Sequence, residues 1–294
     1  MGESGGNVEG DAPAEVVTPK SKGDGRAFER LREEAERLSL KQRVLLLDVL
    51  SAQATAVRED GVKFSLRSVT EFKRFGKSKP ADEPMVEWIR GFGPTDVFFD
   101  IGANTGALSL LAGTVHGGRV PVFAFEPAFD NFESLVRNVL VNGLESVITP
   151  LQVALFDVTA LTPFYYHGRG AGSALHAVGQ PLDFLRRPFE AVAVQQVMAF
   201  RLDDLVQSFN LPRPTRIKLD VDGFEDKVLA GAERLLTAGP AEIVVELVQT
   251  DPDDRHAEGV VSYLNGLGYK QISLVERRPP GTYPRAIDAL FRRD

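Results

Sequence analysis

The chain has no cysteine, and its 294 residues include one tryptophan and three methionines. The missing thiol excludes disulfides, thiolate metal sites and a cysteine nucleophile, and it accords with a reducing cytoplasm. No apolar run approaches the roughly 20 residues that a membrane helix needs. The nearest candidate, Leu45 to Leu50, is short and interrupted by Asp48. Met1 to Asp24 is rich in Gly, Glu and Pro and lacks the apolar core of a secretory signal. Positive charge is in deficit: 34 Lys and Arg against 41 Asp and Glu leave a net charge of −7. That balance offers no general attraction to nucleic acid or an anionic membrane. The expectation is a cytoplasmic protein without a nucleic acid or membrane partner.

What is present is ordinary for a globular chain, with 43% hydrophobic and 26% charged residues. Three regions are expected: a disordered tail over 1–25, a helical extension over 26–80 and one large domain over 81–294. In the extension, Phe28, Leu31, Ala35 and Leu38 recur at helical spacing in a pattern that runs to about Arg58, and a second helical piece carries Val44, Leu45, Val49 and Leu50. These helices are a candidate dimerisation surface, making a homodimer, or a lid, or a cap on the domain. A short strand is expected around Val62 to Leu66 and a helix over Pro84 to Arg90.

From Asp96 onward apolar strands alternate with amphipathic helices. Strands are expected at Asp96–Phe99, Val120–Phe125, Val147–Val153, Thr215–Leu219, Glu242–Leu247, Gln271–Val275 and Ile287–Phe291. Helices are expected at Thr105–Val115, Asn131–Asn142, Phe224–Leu236 and Gly259–Leu267, with an irregular stretch from 154 to about 190. Asp130 and Glu133 form a capping pattern for the second of these helices. Its apolar face carries Phe132, Leu135, Val136, Val139 and Leu140, and Gly143 stands at its C-terminal cap. The fold class is therefore α/β, a mostly parallel sheet covered by helices on both faces.

The richest segment is Val97-Phe-Phe-Asp-Ile-Gly-Ala-Asn-Thr-Gly106, answered by Phe123-Ala-Phe-Glu-Pro127. It reads as strand, glycine turn, helix, and a second strand ending in Glu126. Ligands of open parallel sheets bind beyond the carboxyl ends of such strands. A dinucleotide turn needs G-x-G-x-x-G, but Asn104 occupies the middle glycine position, and no G-x-x-x-x-G-K-[ST] phosphate loop exists. S-adenosylmethionine (SAM) carries no phosphate and fits better. Gly102 and Gly106 let the backbone turn and a ligand approach, Asp100 can accept from its ammonium, and Glu126 can take both ribose hydroxyls. Asp157, after the third strand, is placed to accept from the adenine amino group. The plainer reading is a glycine turn in an ordinary α/β protein, with Glu126 capping the next helix.

With Arg201-Leu-Asp-Asp204, Ile217-Lys-Leu-Asp-Val-Asp-Gly223 and Leu229-Ala-Gly-Ala-Glu233 following in order, the sequence resembles the FkbM-type SAM-dependent methyltransferases over about residues 80 to 294. The resemblance implies a Rossmann-like, seven-stranded class I methyltransferase fold and methyl transfer to hydroxyl oxygens of small molecules, natural products or sugars. It implies SAM contacts at Asp100, Gly102, Asn104 and Glu126, beside Gly106 and the weaker Asp157. One departure stands out: the family's fifth strand often continues Glu-x-His, whereas this chain has Glu246-Leu-Val248.

Transfer to oxygen requires alignment of the acceptor and removal of its proton. Lys218 and Asp220 emerge on one side of the fourth strand because side chains alternate, with Asp222 and Glu225 following. With Glu246 these carboxylates could form a hydrogen-bonded network that tunes Asp220 or Lys218 as base. They could instead hold a divalent ion such as Mg²⁺, the less favoured option, or simply pair with Lys218 and cap a helix. The glycine-rich Tyr165–His176 segment offers a second wall, with His176 as a further candidate base or a solvated loop residue. Two other functions compete: a catalytically silent binding module, and an NAD-dependent oxidoreductase, against which Asn104 argues. The chain also lacks the Asn-Pro-Pro-Tyr-type segment of base methylation.

Overall fold

The computed structural model describes residues 24–75, 83–239, 242–251, 253–276 and 283–293. Most of the expected tail lies outside them. The chain divides into two compact units, Met1–Gln53 and Ala54–Asp294. The first contains α1 (Asp24–Arg37) and α2 (Leu40–Gln53). Between these helices, Ser39 N donates to Gln42 Oε1 and Gln42 N donates to Ser39 Oγ, a reciprocal cap. In α2, Val44, Leu45, Leu47, Val49 and Leu50 are exposed.

The second unit opens with a hairpin, β1 (Thr55–Val57) and β2 (Lys63–Ser65), then α3 (Val69–Phe75) and α4 (Glu83–Arg90). The helical pattern expected to reach Arg58 thus stops at Gln53. Arg58 instead pairs with Asp60 in the hairpin turn. Val62 and Phe64 belong to the core of the second unit, so the division falls earlier than the boundary expected near residue 80.

The main domain continues with β3 (Phe98–Ile101), α5 (Ala107–Val115), β4 (Val122–Phe125), α6 (Phe129–Asn142) and β5 (Ile148–Leu151). After these come β6 (Ala154–Leu155), β7 (Ala160–Tyr166), β8 (Ala177–Val178), β9 (Ala193–Phe200) and α7 (Leu202–Ser208). The chain ends with β10 (Arg216–Leu219), α8 (Glu225–Ala230), α9 (Glu233–Ala238), β11 (Glu242–Gln249), α10 (His256–Gly266), β12 (Lys270–Glu276) and β13 (Arg285–Arg292). Seven strands form one sheet in the order β12-β13-β11-β10-β3-β4-β5. Pairing is parallel from β11 through β10, β3 and β4 to β5, and antiparallel where β13 joins β11 and β12, so the sheet is mixed.

Alternation along the strands splits the apolar side chains between two faces. Phe99, Ile101, Ile217, Leu219, Ile243 and Val245 pack with Val228 and Leu229 of α8, Leu235 and Leu236 of α9, and Val260 and Leu264 of α10. Phe98, Val122, Ala124 and Val244 face the other way, against Met85 and Ile89 of α4, Leu110 and Leu111 of α5, and Leu135 and Val139 of α6. Helices therefore cover both faces.

Three local expectations are corrected. The N-cap of α6 is Ala128, without a side-chain cap bond. Asp130 falls inside the first turn, accepting from Gly170 N, and Glu133 pairs with Arg137. Gly143 does adopt the left-handed cap (φ +65°), but Leu140 points outward at 59% exposure. The helix expected over Phe224–Leu236 breaks into α8 and α9 at Gly231, whose ideal Cβ would lie 2.0 Å from Phe156 O. Asp203 takes up the freed amides of Arg234 and Leu235. The stretch expected to be irregular holds a second, four-stranded sheet, β6-β9-β7-β8. Its inner face is apolar, with Phe164, Tyr166, Val197 and Ala199 buried. Its outer face carries Leu161 and Met198, 72% and 54% exposed, so no polar alternation marks it as a strand pair.

Candidate active site

Strand order reverses at β3, with β4 and β5 on one side and β10 and β11 on the other. A cavity of about 570 Å³ opens there, at the carboxyl ends of β3, β4 and β10. Its floor is the glycine turn. Gly102 (φ +76°) passes so close to β10 that a Cβ would sit 1.8 Å from Asp220 O, a position open only to glycine. At Gly106 (φ +90°) a Cβ would meet Leu135 at 2.5 Å. The amides of Gly102 and Ala103 both donate to Phe125 O, fixing the turn to the end of β4.

Glu126 completes that tie. Its Oε2 accepts from Asn104 N at 2.8 Å and its Oε1 from Ala128 N at 2.9 Å. Burial outweighs these bonds and pushes the carboxyl up to about 7. Oε1 also accepts from Asn131 Nδ2 at 3.5 Å, so Oε2 is the oxygen that retains a lone pair for a further donor. The side chain of Asn104 turns the other way, donating to Ser173 O at 2.9 Å.

Asp100 is 1% exposed. Its Oδ2 accepts from Ser109 N (3.1 Å) and Ser109 Oγ (2.6 Å). Its Oδ1 is buried without a hydrogen-bond partner among the described residues, 3.8 Å from Lys218 Nζ. Burial pushes this carboxyl up, against the pull of Lys218 and Ser109. Lys218 Nζ also lies 3.1 Å from Asp220 Oδ2 and donates to Gly102 O at 3.1 Å. Burial works against its charge, but Asp220 and Asp100 outweigh that cost and raise its pKa, so Lys218 is a fixed cation. It has no proton vacancy with which to act as a base.

Asp222 occupies a left-handed conformation (φ +55°) and accepts from Leu175 N at 2.7 Å. Burial and the neighbouring Asp220 push its carboxyl up to about 7. Glu225 is not on the cavity wall; it folds the turn by accepting from Val221 N and Gly223 N. His176 lines the cavity, and burial pushes its imidazole down to about 4. Its Nδ1 accepts from His167 N at 3.2 Å, which assigns the ring proton to Nε2 and leaves the ring a donor rather than a base. Asp157, the expected adenine contact, is not among the residues that line the cavity and pairs with Lys227 at 3.0 Å.

The expected site residues Asp100, Gly102, Asn104, Glu126, Lys218, Asp220 and His176 thus meet in one cavity, with Asp222 and Glu246. Gly106 shapes the turn from just outside it. Sequence reasoning missed two walls. One is Arg74 and Phe75 of α3 with Met85 of α4; no motif marks them. The other is the roof, Ser173 to His176, whose glycines and histidines were noted without their anchors. Asn131 holds that roof from both ends of its amide, donating to Ser173 O (3.0 Å) and accepting from Gly172 N (2.9 Å). Among the described residues, no cluster of three or more His, Asp or Glu is arranged to hold a metal ion, and no helix is long and apolar enough to cross a membrane.

The chain is 25% identical over 195 residues to the hexuronic acid methyltransferase AglP of Haloferax volcanii, covering 65% of this chain and 73% of that protein. It is 26% identical over 198 residues to the 31-O-demethyl-FK506 methyltransferase FkbM of Streptomyces tacrolimicus, covering 61% and 75%. Among solved structures it matches a methyltransferase FkbM from Methylobacillus flagellatus KT with 18% identity and a TM-score of 0.44, over 67% of this chain and 44% of that one. The model of the methyltransferase FkbM domain matches residues 100–270, from the aspartate that ends β3 to the first residue of β12. The chain belongs to the FkbM family of methyltransferases.

Proposed function

We propose that this protein transfers a methyl group from SAM to a hydroxyl oxygen of a small molecule or sugar. The observation that carries this reading is Asp100 Oδ1, buried on the cavity wall with no hydrogen-bond donor among the described residues. An unsatisfied buried acceptor costs about 1–3 kcal/mol, and an incoming ammonium would satisfy it. When bound, SAM supplies an electrophilic methyl on a sulfonium, carried with an amino acid tail, a ribose and an adenine. Asp100 holds the ammonium, Glu126 takes the ribose hydroxyls, and Phe125, Val153 and Leu155 offer an apolar wall to the adenine. The several carboxylates of the cavity favour the sulfonium charge.

The base is Asp222. A carboxyl near 7 is balanced between holding and releasing a proton at neutral pH, so it can accept the proton of the acceptor hydroxyl. Lys218 stays protonated and orients Asp220. Oxygen as the acceptor atom is supported by the two relatives, one named for hexuronic acid and one for a 31-O-demethyl compound. Titration calorimetry with S-adenosylhomocysteine tests the cofactor half. Asp100→Asn is expected to weaken binding by about 10- to 100-fold with the fold retained by circular dichroism. Affinity equal to that of the unaltered protein would remove Asp100 from the site.

A further inference from the structure

The cavity is lined by five carboxyl groups, Asp100, Glu126, Asp220, Asp222 and Glu246, and by two cations, Lys218 and Arg74. Lys218 is committed: Asp220, Asp100 and Gly102 O surround its ammonium. Arg74 is exposed and makes no hydrogen bond or ion pair among the described residues. A guanidinium with five donors on an acidic wall is placed for a planar anion.

Its mounting is rigid. Arg74 lies in the last turn of α3. At the other end of that helix Glu71 accepts from Arg67 N (2.7 Å) and Ser68 N (3.0 Å), and Ser134 Oγ of α6 also donates to it. The next residue, Phe75, stacks on Phe64 at 4.6 Å. The same cavity is lined by Thr105, Ala107 and Leu108, which lead from the glycine turn into α5.

We infer that Arg74 binds the α-carboxylate of the methyl donor. The inference rests on the SAM reading above. An amino acid tail carries its ammonium and its carboxylate on one carbon. If the buried Oδ1 of Asp100 takes the ammonium, the carboxylate must lie close by, among groups of its own sign. Arg74 is the cation of that cavity with donors to spare among the described residues. It is therefore a binding residue for the tail, and it distinguishes S-adenosyl amino acids from plain thioadenosines.

The test compares S-adenosylhomocysteine with 5′-methylthioadenosine, which shares the nucleoside and sulfur but lacks the tail. Both are titrated into the full chain and into Arg74→Gln and Arg74→Lys. Arg74→Gln should weaken S-adenosylhomocysteine by about tenfold or more and leave methylthioadenosine within twofold, with Arg74→Lys falling between. If Arg74→Gln binds S-adenosylhomocysteine as the unaltered chain does, the carboxylate is held elsewhere and the inference fails. Equal weakening of both ligands would also overturn it, because a carboxylate contact cannot affect a ligand without one. Failure of the unaltered chain to bind either ligand would instead overturn the SAM reading itself.

Discussion

Asp222 combines three demands at one position: a left-handed backbone, a bond to the roof through Leu175 N, and a carboxyl pushed up to about 7. As the proposed base it is useful only when ionised, so kcat should rise with pH through about 7 and level off above. Asp222→Asn keeps an acceptor for Leu175 N but cannot take a proton, and kcat should fall by about 10²- to 10⁴-fold. Stability should move the opposite way. A carboxyl whose folded pKa exceeds its ordinary value of 3.8 gives a contribution that is complete below 3.8 and lost as pH rises through about 7. At pH 8 Asp222→Asn should therefore be more stable, by about 1–2 kcal/mol after allowance for solvent, with the advantage vanishing near pH 4 in thermal melts. At this scale the sequence was legible where backbone demands are strict. Gly102 and Asn104 announce the turn, and Glu126 follows from its place at the end of β4. The pairing of Asp157 with Lys227 is not legible, because Lys227 lies in the helix after β10 and leaves no local sign. The same holds for Arg74, whose helix is tied to α6 by Glu71 and Ser134 and to β2 by the stacking of Phe75 on Phe64.

The element that defeated sequence reading is the sheet of β6 to β9. Strand patterns are recognised by contrast between faces, and here both faces of β7 and β9 carry apolar side chains. The seam between this sheet and α8–α9 explains a motif instead. Asp203 N donates to Gly231 O, and Asp203 caps α9, so Arg201-Leu-Asp-Asp204 and Leu229-Ala-Gly-Ala-Glu233 are two halves of one joint. Gly231 has helical φ (−74°), where alanine would ordinarily be welcome. Its Cβ, however, would strike Phe156 O and approach the backbone of Arg201. Gly231→Ala should cost about 3 kcal/mol or more, read as a melting temperature lower by roughly 6–12 °C. The roof gives a gentler case. Asn131→Ala would strand the amide of Gly172 and release Ser173 O, a loss of about 1–3 kcal/mol. Amide exchange should quicken over residues 170–176 and stay unchanged in β3 and β4.

For the whole molecule, every residue that lines the cavity lies between Arg74 and Glu246, within the second compact unit. A chain starting at Ala54 should melt in one cooperative transition and bind S-adenosylhomocysteine within twofold of the full chain; a larger loss would give α1 or α2 a part in the site. The order of alternating strands and helices was readable from hydrophobic periodicity, and with it the point where strand order reverses. The antiparallel return of β13 between β11 and β12 was not, because a single strand carries no mark of its direction. One consequence belongs to the roof. Asn104 and Asn131, which fasten it, stand beside Glu126 on the wall that a nucleoside would occupy. Both amides converge on the carbonyl of Ser173, so one loop oxygen ties the glycine turn before α5 to the first turn of α6. A shift of that carbonyl is felt at both asparagines together, which makes it the common reference point of two walls that the chain builds from distant segments.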